Sequence, residues 1–128
     1  VSQLSLLTKQ EGVEGFHILV ESGEVVSSGV KAADQGTIIE VRNLFFNTPA
    51  RRKFLRTDSV ELRHIIDVVT HYALLNKHVA FRLIHEGHDL LNSPSLESWR
   101  DNIASIYGTN IAKQLLHVEY KDEIVNMV

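Results

Sequence analysis

The sequence predicts an α/β fold, with an antiparallel meander of strands followed by a helix buried against the sheet. Three features carry that expectation. Residues 1–42 hold four short apolar or β-branched runs separated by turn signals. From Val60 the apolar spacing switches to a helical period, with Ile65, Val68, Val69, Tyr72 and Ala73 at i, i+3, i+4, i+7 and i+8. Strand-like and helical segments then recur up to the last residue.

The first run is Val1 to Thr8, and Glu11-Gly12 marks the turn after it. Phe16 to Val20 follows, and Ser22-Gly23-Glu24 reads as a tight turn into Val25 and Val26. Ala33 to Gly36 precedes Thr37 to Val41, a Thr-Ile-Ile-Glu-Val segment suited to a pleated surface. Together these are expected to form an antiparallel meander. Pro49 fixes its own φ and lacks an N–H, so it suits the first turn of a short basic helix reaching about Leu55, with Thr48 as N-cap. Asp58 and Glu61 have capping-box spacing ahead of a helix from Ser59 to Leu75, expected to bury its apolar face on the sheet. Val79 to Ile84 and Asp89 to Asn92 form a hairpin about Glu86-Gly87-His88. Asn92-Ser93-Pro94-Ser95 is the most loop-like stretch and the expected domain boundary. A helix from Ser95 or Glu97 to Tyr107 ends at Gly108, a second runs from Asn110 to Leu116, and Val118 to Val128 reads as a strand.

Composition narrows the chemistry. With 44% hydrophobic and 23% charged residues, the 128-residue chain has enough apolar surface to fold, so disorder is not expected. Thirteen basic and 16 acidic residues give a net charge of −3, which excludes a uniformly basic nucleic-acid coat but leaves room for a local basic patch. The absence of cysteine excludes disulfides, iron–sulfur clusters, zinc–thiolate sites and thiol nucleophiles. No apolar run approaches the roughly 20 residues of a transmembrane helix. The first residue is Val1, not Met, and Ser2 to Thr8 already read as strand, so the expectation is a segment of a longer protein.

Two stretches invite a functional reading. Gly36-Thr37 is either a turn glycine entering a strand or a hydroxyl placed for a ligand. Arg51, Arg52, Lys53, Arg56 and Arg63 put five of the 13 basic residues within 13 positions, offset only by Asp58 and Glu61. Such a cluster is either a solvated helix face or a surface for neighbouring phosphates, and Arg52 and Arg56 would stand one helical turn apart. Phe45, Phe46 and Phe54 are expected to pack the helix onto the sheet, because nothing interleaves them with bases for stacking. Seven histidines offer no convergent ligand set: His64, His71 and His78 are two turns apart, and His85 and His88 have only Glu86 beside them. No metal site is expected, and no serine sits in a nucleophile elbow.

The run Gly36-Thr37, Glu40-Val41 and Leu44-Phe45-Phe46-Asn47-Thr48-Pro49-Ala50-Arg51-Arg52-Lys53-Phe54-Leu55 resembles the amino-terminal region of bacterial MutL-type DNA mismatch repair proteins. Looser agreement at His64 to Val69, Val79 to His85 and Ile106-Tyr107-Gly108 extends the resemblance over nearly the whole chain. It implies an internal fragment of an α+β two-layer sandwich, a mixed, mostly antiparallel sheet backed by helices: the second half of a GHKL-type ATPase domain over residues 1–92 and the start of a ribosomal protein S5-like domain over residues 93–128. It implies a parent that uses ATP and Mg to dimerise through its amino-terminal region and clasp DNA without sequence preference. That parent would couple a mismatch-recognition protein to a downstream nuclease or helicase in the bacterial cytoplasm, at the nucleoid. Of the family's ATP motifs, only the last is present, and it assigns a nucleotide contact to Thr37. The general-base Glu, the Mg-binding Asn, D-x-G-x-G and the lid motif would lie upstream, so no catalytic residue and no bound cofactor is expected for this chain alone. The family's DNA contact after the Lys-Phe-Leu triplet falls on Arg56, with Arg51 and Arg52 as further DNA candidates that could instead pair with carboxylates or cap carbonyls. The alternatives are a standalone module that binds the DNA backbone without enzymatic activity, or an interaction domain that pairs through its last strand.

Overall fold

The computed structural model describes residues 1–116, 118, 120–121 and 126–127. They form two compact units, Val1–Arg56 and Thr57–Val128. All strand pairs among the described residues are antiparallel.

In the first unit, β1 (Gln3–Lys9), β2 (Phe16–Glu21), β3 (Glu24–Val30) and β4 (Gly36–Arg42) precede the short helix α1 (Pro49–Lys53). The sheet order is β3-β2-β1-β4, so β1 is central and the expected simple meander is corrected: β4 returns past two strands to the free edge of β1. The pairing Leu4↔Val41 and Leu6↔Ile39 explains the choice, because it continues the apolar rows already formed by Leu4↔Val20 and Leu6↔Ile18. Ser22 and Gly23, both at positive φ, make the two-residue turn that brings Glu21 opposite Glu24.

Gly15 is required by close approach. It is buried, its carbonyl accepts from the Lys31 N–H at 2.8 Å, and a Cβ there would stand 2.3 Å from the Lys31 carbonyl oxygen. Gly15→Ala should therefore destabilise this sheet by about 2 kcal/mol. Gly29→Ala, where nothing lies within 4 Å, should be neutral. Urea denaturation followed by far-ultraviolet circular dichroism compares the two; equal midpoints would show that the contact does not constrain the fold.

Strand alternation gives this sheet two unlike faces. One carries Leu4, Leu6, Ile18, Val20, Ile39 and Val41; the other is mixed, with Leu7, Leu19 and Ile38 among Gln3, Ser5, His17, Glu21, Glu40 and Arg42. The apolar face is largely open, with Ile39 60% and Val41 54% exposed. Ala73 and Ala112 are the fully buried apolar side chains among the described residues, and both belong to the second unit.

That unit contains α2 (Asp58–Leu75), the hairpin β5 (Phe81–His85) and β6 (His88–Ser93), α3 (Trp99–Tyr107), α4 (Thr109–Gln114), and the two-residue strands β7 (Tyr120–Lys121) and β8 (Asn126–Met127). The helix α2 packs on β5, β6 and α3. Its expected burial holds for Ala73 but not for Ile65, Val68 and Tyr72, which remain exposed as a second apolar stripe. Arg82 and Asp89 form a two-pronged pair at 2.9 and 3.1 Å across the hairpin. The hydrogen bonding and the Asp89 charge push the Arg82 pKa above its ordinary value. Ser98 caps α3 by accepting from the Asp101 N–H at 3.4 Å.

A buried polar staple joins α2 to α3. Asn102, fully buried, donates through Nδ2 to the carbonyls of Ala73 at 3.1 Å and Leu74 at 3.2 Å and accepts from Ser93 Oγ at 3.1 Å. Helix C-terminal carbonyls have no partner within their own helix, and Asn102 supplies one from outside. The expected long strand from Val118 to Val128 is represented by Tyr120↔Met127 and Lys121↔Asn126, which pair with each other; the rest of that expectation lies outside the described residues.

Candidate nucleotide and DNA contacts

Gly36 opens β4 at φ 131, and Thr37 follows it as an exposed side chain. Thr37 is the register partner of Thr8 on β1, so both side chains leave the same, otherwise apolar, face. Their hydroxyls are 2.8 Å apart. Thr8 Oγ1 also lies 3.4 Å from the Gly36 carbonyl, to which it donates. The sequence pointed to Thr37; Thr8 was missed, because only strand register reveals that positions 29 residues apart are opposite each other.

The basic stretch is reached through a strained loop. Asn43 and Phe45 have φ of 51° and 62°, and Phe45 in the left-handed region is uncommon for a bulky side chain. The loop is held by Phe45 N–H donating to the Val1 carbonyl at 2.6 Å, Asn43 Nδ2 to Gln3 Oε1 at 2.7 Å, and Asn47 Nδ2 to Ser22 Oγ at 3.1 Å. Thr48 does occupy the N-cap position of α1, with its carbonyl accepting from the Arg52 N–H, but its side chain makes no capping bond, and its buried Oγ1 has no hydrogen-bond partner.

The helix places Arg51, Arg52 and Lys53, all exposed, in its last turn, where cations favour the negative end of the dipole. It stops at Lys53, with Phe54 as C-cap. Arg56 therefore lies beyond the helix, and the expected one-turn stacking of Arg52 on Arg56 is not formed. The expected core role of Phe46 and Phe54 is also corrected: they are 41% and 86% exposed, because a five-residue helix is too short to bring a long apolar stripe to the sheet. Arg63 belongs to α2 in the second unit.

Among the described residues, a shallow depression lies in each unit. On the mixed sheet face, Gln3, Ser5, Leu19, Glu21, Glu40 and Arg42 line about 320 Å³, with Arg42 paired to Glu40 at 2.6 Å. In the second unit, Asp67, Thr70, His71 and Tyr107 contribute to a space of about 290 Å³. Among the described residues no three His, Asp or Glu side chains group to hold a metal ion, and no helix is long and apolar enough to cross a membrane.

No family model matches the chain. Curated relatives do. It is 44% identical over 120 residues to the DNA mismatch repair protein MutL of Syntrophotalea carbinolica, covering 93% of this chain and 19% of that protein. It is 40% identical over 131 residues to MutL of Clostridium botulinum, covering 99% of this chain and again 19% of the relative. The solved Aquifex aeolicus MutL ATPase domain complexed with ADP superposes with a TM-score of 0.79 at 34% identity, over 85% of this chain and 45% of that domain. The chain is of the MutL type. The fold is accordingly that of part of a MutL ATPase domain, an antiparallel sheet with helices, and this MutL-type chain spans about a fifth of the length of the curated relatives it matches.

Proposed function

We propose that this MutL-type chain is a working part of a longer DNA mismatch repair protein, one that binds and hydrolyses ATP to dimerise and clasp DNA. The observation that carries the reading is the 34% identity and 0.79 TM-score to an ATPase domain that binds ADP, of which this chain matches less than half. The open apolar sheet face supports it: a sheet needs a second layer to bury such a surface, and the remaining half of the ATPase domain supplies one. Residues 1–92 would complete the sheet side of the ATPase domain and residues 93–128 would begin the S5-like domain.

In this reading Thr37 holds the nucleotide by one hydroxyl hydrogen bond. Magnesium, when bound with ATP, neutralises charge developing on the phosphates. Thr37 fits a single nucleotide contact, whereas the residues for the metal and for proton removal from water belong to the upstream half. Arg56, Arg52 and Arg51 would meet successive DNA phosphates, which makes binding independent of sequence. The intact protein would work in the bacterial cytoplasm at the nucleoid, with a mismatch-recognition protein before it and a nuclease or helicase after it.

The 128-residue chain by itself is expected to show no ATP turnover and no tight ATP binding, since hydrolysis needs an oriented water, a base and a metal. Purified chain and purified intact protein should be compared for phosphate release. Turnover that co-purifies with the isolated chain would overturn this division of labour, and an intact protein without turnover would overturn the ATPase reading itself. The standalone DNA-binding alternative is disfavoured by the same apolar face, which an independent module would have to leave in water.

A further inference from the structure

We infer that Thr8 is a positioning residue that holds the Thr37 hydroxyl in place for the nucleotide; this rests on the reading of Thr37 as a nucleotide contact. A threonine hydroxyl has one proton and two lone pairs. The Thr8 hydroxyl is tied to the start of β4 twice, by the 2.8 Å contact with Thr37 Oγ1 and by a longer one of 3.4 Å to the Gly36 carbonyl. The 2.8 Å contact between the two hydroxyls takes up one of their two protons, with either oxygen able to donate.

The immediate neighbours of the pair on that face are apolar. Thr8 stands between Phe16 on β2 and Thr37 on β4, and the next residues along the face are Leu6 and Ile39. Thr8 is half-buried and Thr37 exposed, the arrangement expected of a support and the group it supports. Gly36, at positive φ, delivers its carbonyl to the same hydroxyl. Thr37 would therefore offer the nucleotide a hydroxyl already fixed by Thr8, the capacity left over from the 2.8 Å contact serving one hydrogen bond to the ligand.

The test is ADP affinity in the intact protein, read for Thr8→Val, Thr8→Ser, Thr37→Val and the double variant. Thr8→Val keeps the shape and removes the hydroxyl; it should weaken ADP binding about fivefold, in line with one net hydrogen bond. Thr8→Ser restores the hydroxyl and should bind within about twofold of the parent, a rescue that a purely packing role would not give. Thr37→Val should bind more weakly, and adding Thr8→Val to it should cost nothing further, because the two hydroxyls act as one unit. Normal binding by Thr8→Val beside weakened Thr37→Val, or additive losses in the double variant, would overturn the role of Thr8 and leave the nucleotide reading standing. Normal binding by Thr37→Val would instead remove the nucleotide reading and the role of Thr8 with it.

Discussion

Asn102→Leu is expected to destabilise the Thr57–Val128 unit by about 3 kcal/mol, the largest stability effect of any conservative change in volume described above. The substitution keeps approximate size but removes both donors and the acceptor. The carbonyls of Ala73 and Leu74, and Ser93 Oγ, lose their shared partner at distances of 3.1, 3.2 and 3.1 Å. Ser93 is 1% exposed and Asn102 fully buried, so water cannot take over. Leaving buried polar groups unmet costs more than the bonds contribute when made. Ser93 retains Ser105 Oγ at 3.3 Å, which limits but does not cancel the loss. For a unit of this size the melting temperature should fall by at least about 10 °C. Trp99, the chain's single tryptophan, lies on α3 three residues from Asn102 with Lys77 Nζ 5.3 Å from its ring centre, and its fluorescence reports the transition. Asn102→Asp is the informative companion: it keeps the acceptor for Ser93 but sets a carboxylate against two carbonyls, so it should be no more stable than the leucine variant. A leucine variant that melts with the parent would show that the staple contributes nothing net.

Duplex DNA binding should be governed by Arg51, Arg52 and Arg56 and should weaken steeply with salt. If each arginine neutralises one phosphate, the slope of log affinity against log salt is about −2.7, and raising salt from 50 to 200 mM should weaken binding roughly 40-fold. Arg56→Glu alone should flatten the slope by about one unit and weaken binding about tenfold at low salt. The triple Glu variant should bind no DNA in the same titration. Sequence changes in the duplex should have little effect, since phosphate contacts carry no base information. Binding that ignores salt, or that survives the triple substitution, would remove the basic stretch from the DNA interface.

Local rules made several elements legible. Ser22-Gly23 and Glu86-Gly87 sit between β-forming runs, and both became two-residue turns at positive φ. Pro49 opened α1, Gly108 closed α3, and the 3.6-residue period over Val60 to Leu75 became α2. The Gly36 to Leu55 motif identified the family before any fold was known, because a long ordered string of specific residues is much harder to meet by chance than a hydrophobic pattern. What was misread shares one cause. The meander, the core role of Phe54 and the helical stacking of Arg52 on Arg56 were all inferred from near neighbours in sequence, and each depends on which distant surface is available to pack against.

The sequence alone determined the family, the antiparallel strands and the principal helix, since these follow from an ordered motif, residue type and short-range spacing; Thr37 and the three arginines it nominated only through the family resemblance. Tertiary structure decided that β1 is the central strand, that Thr8 faces Thr37, that Asn102 closes the end of α2, and that Ile39 and Val41 lie open on one face of the sheet. The physical reason is that register and burial are set by pairings across 28 or more residues, and no local propensity encodes which of two apolar edges a returning strand will choose.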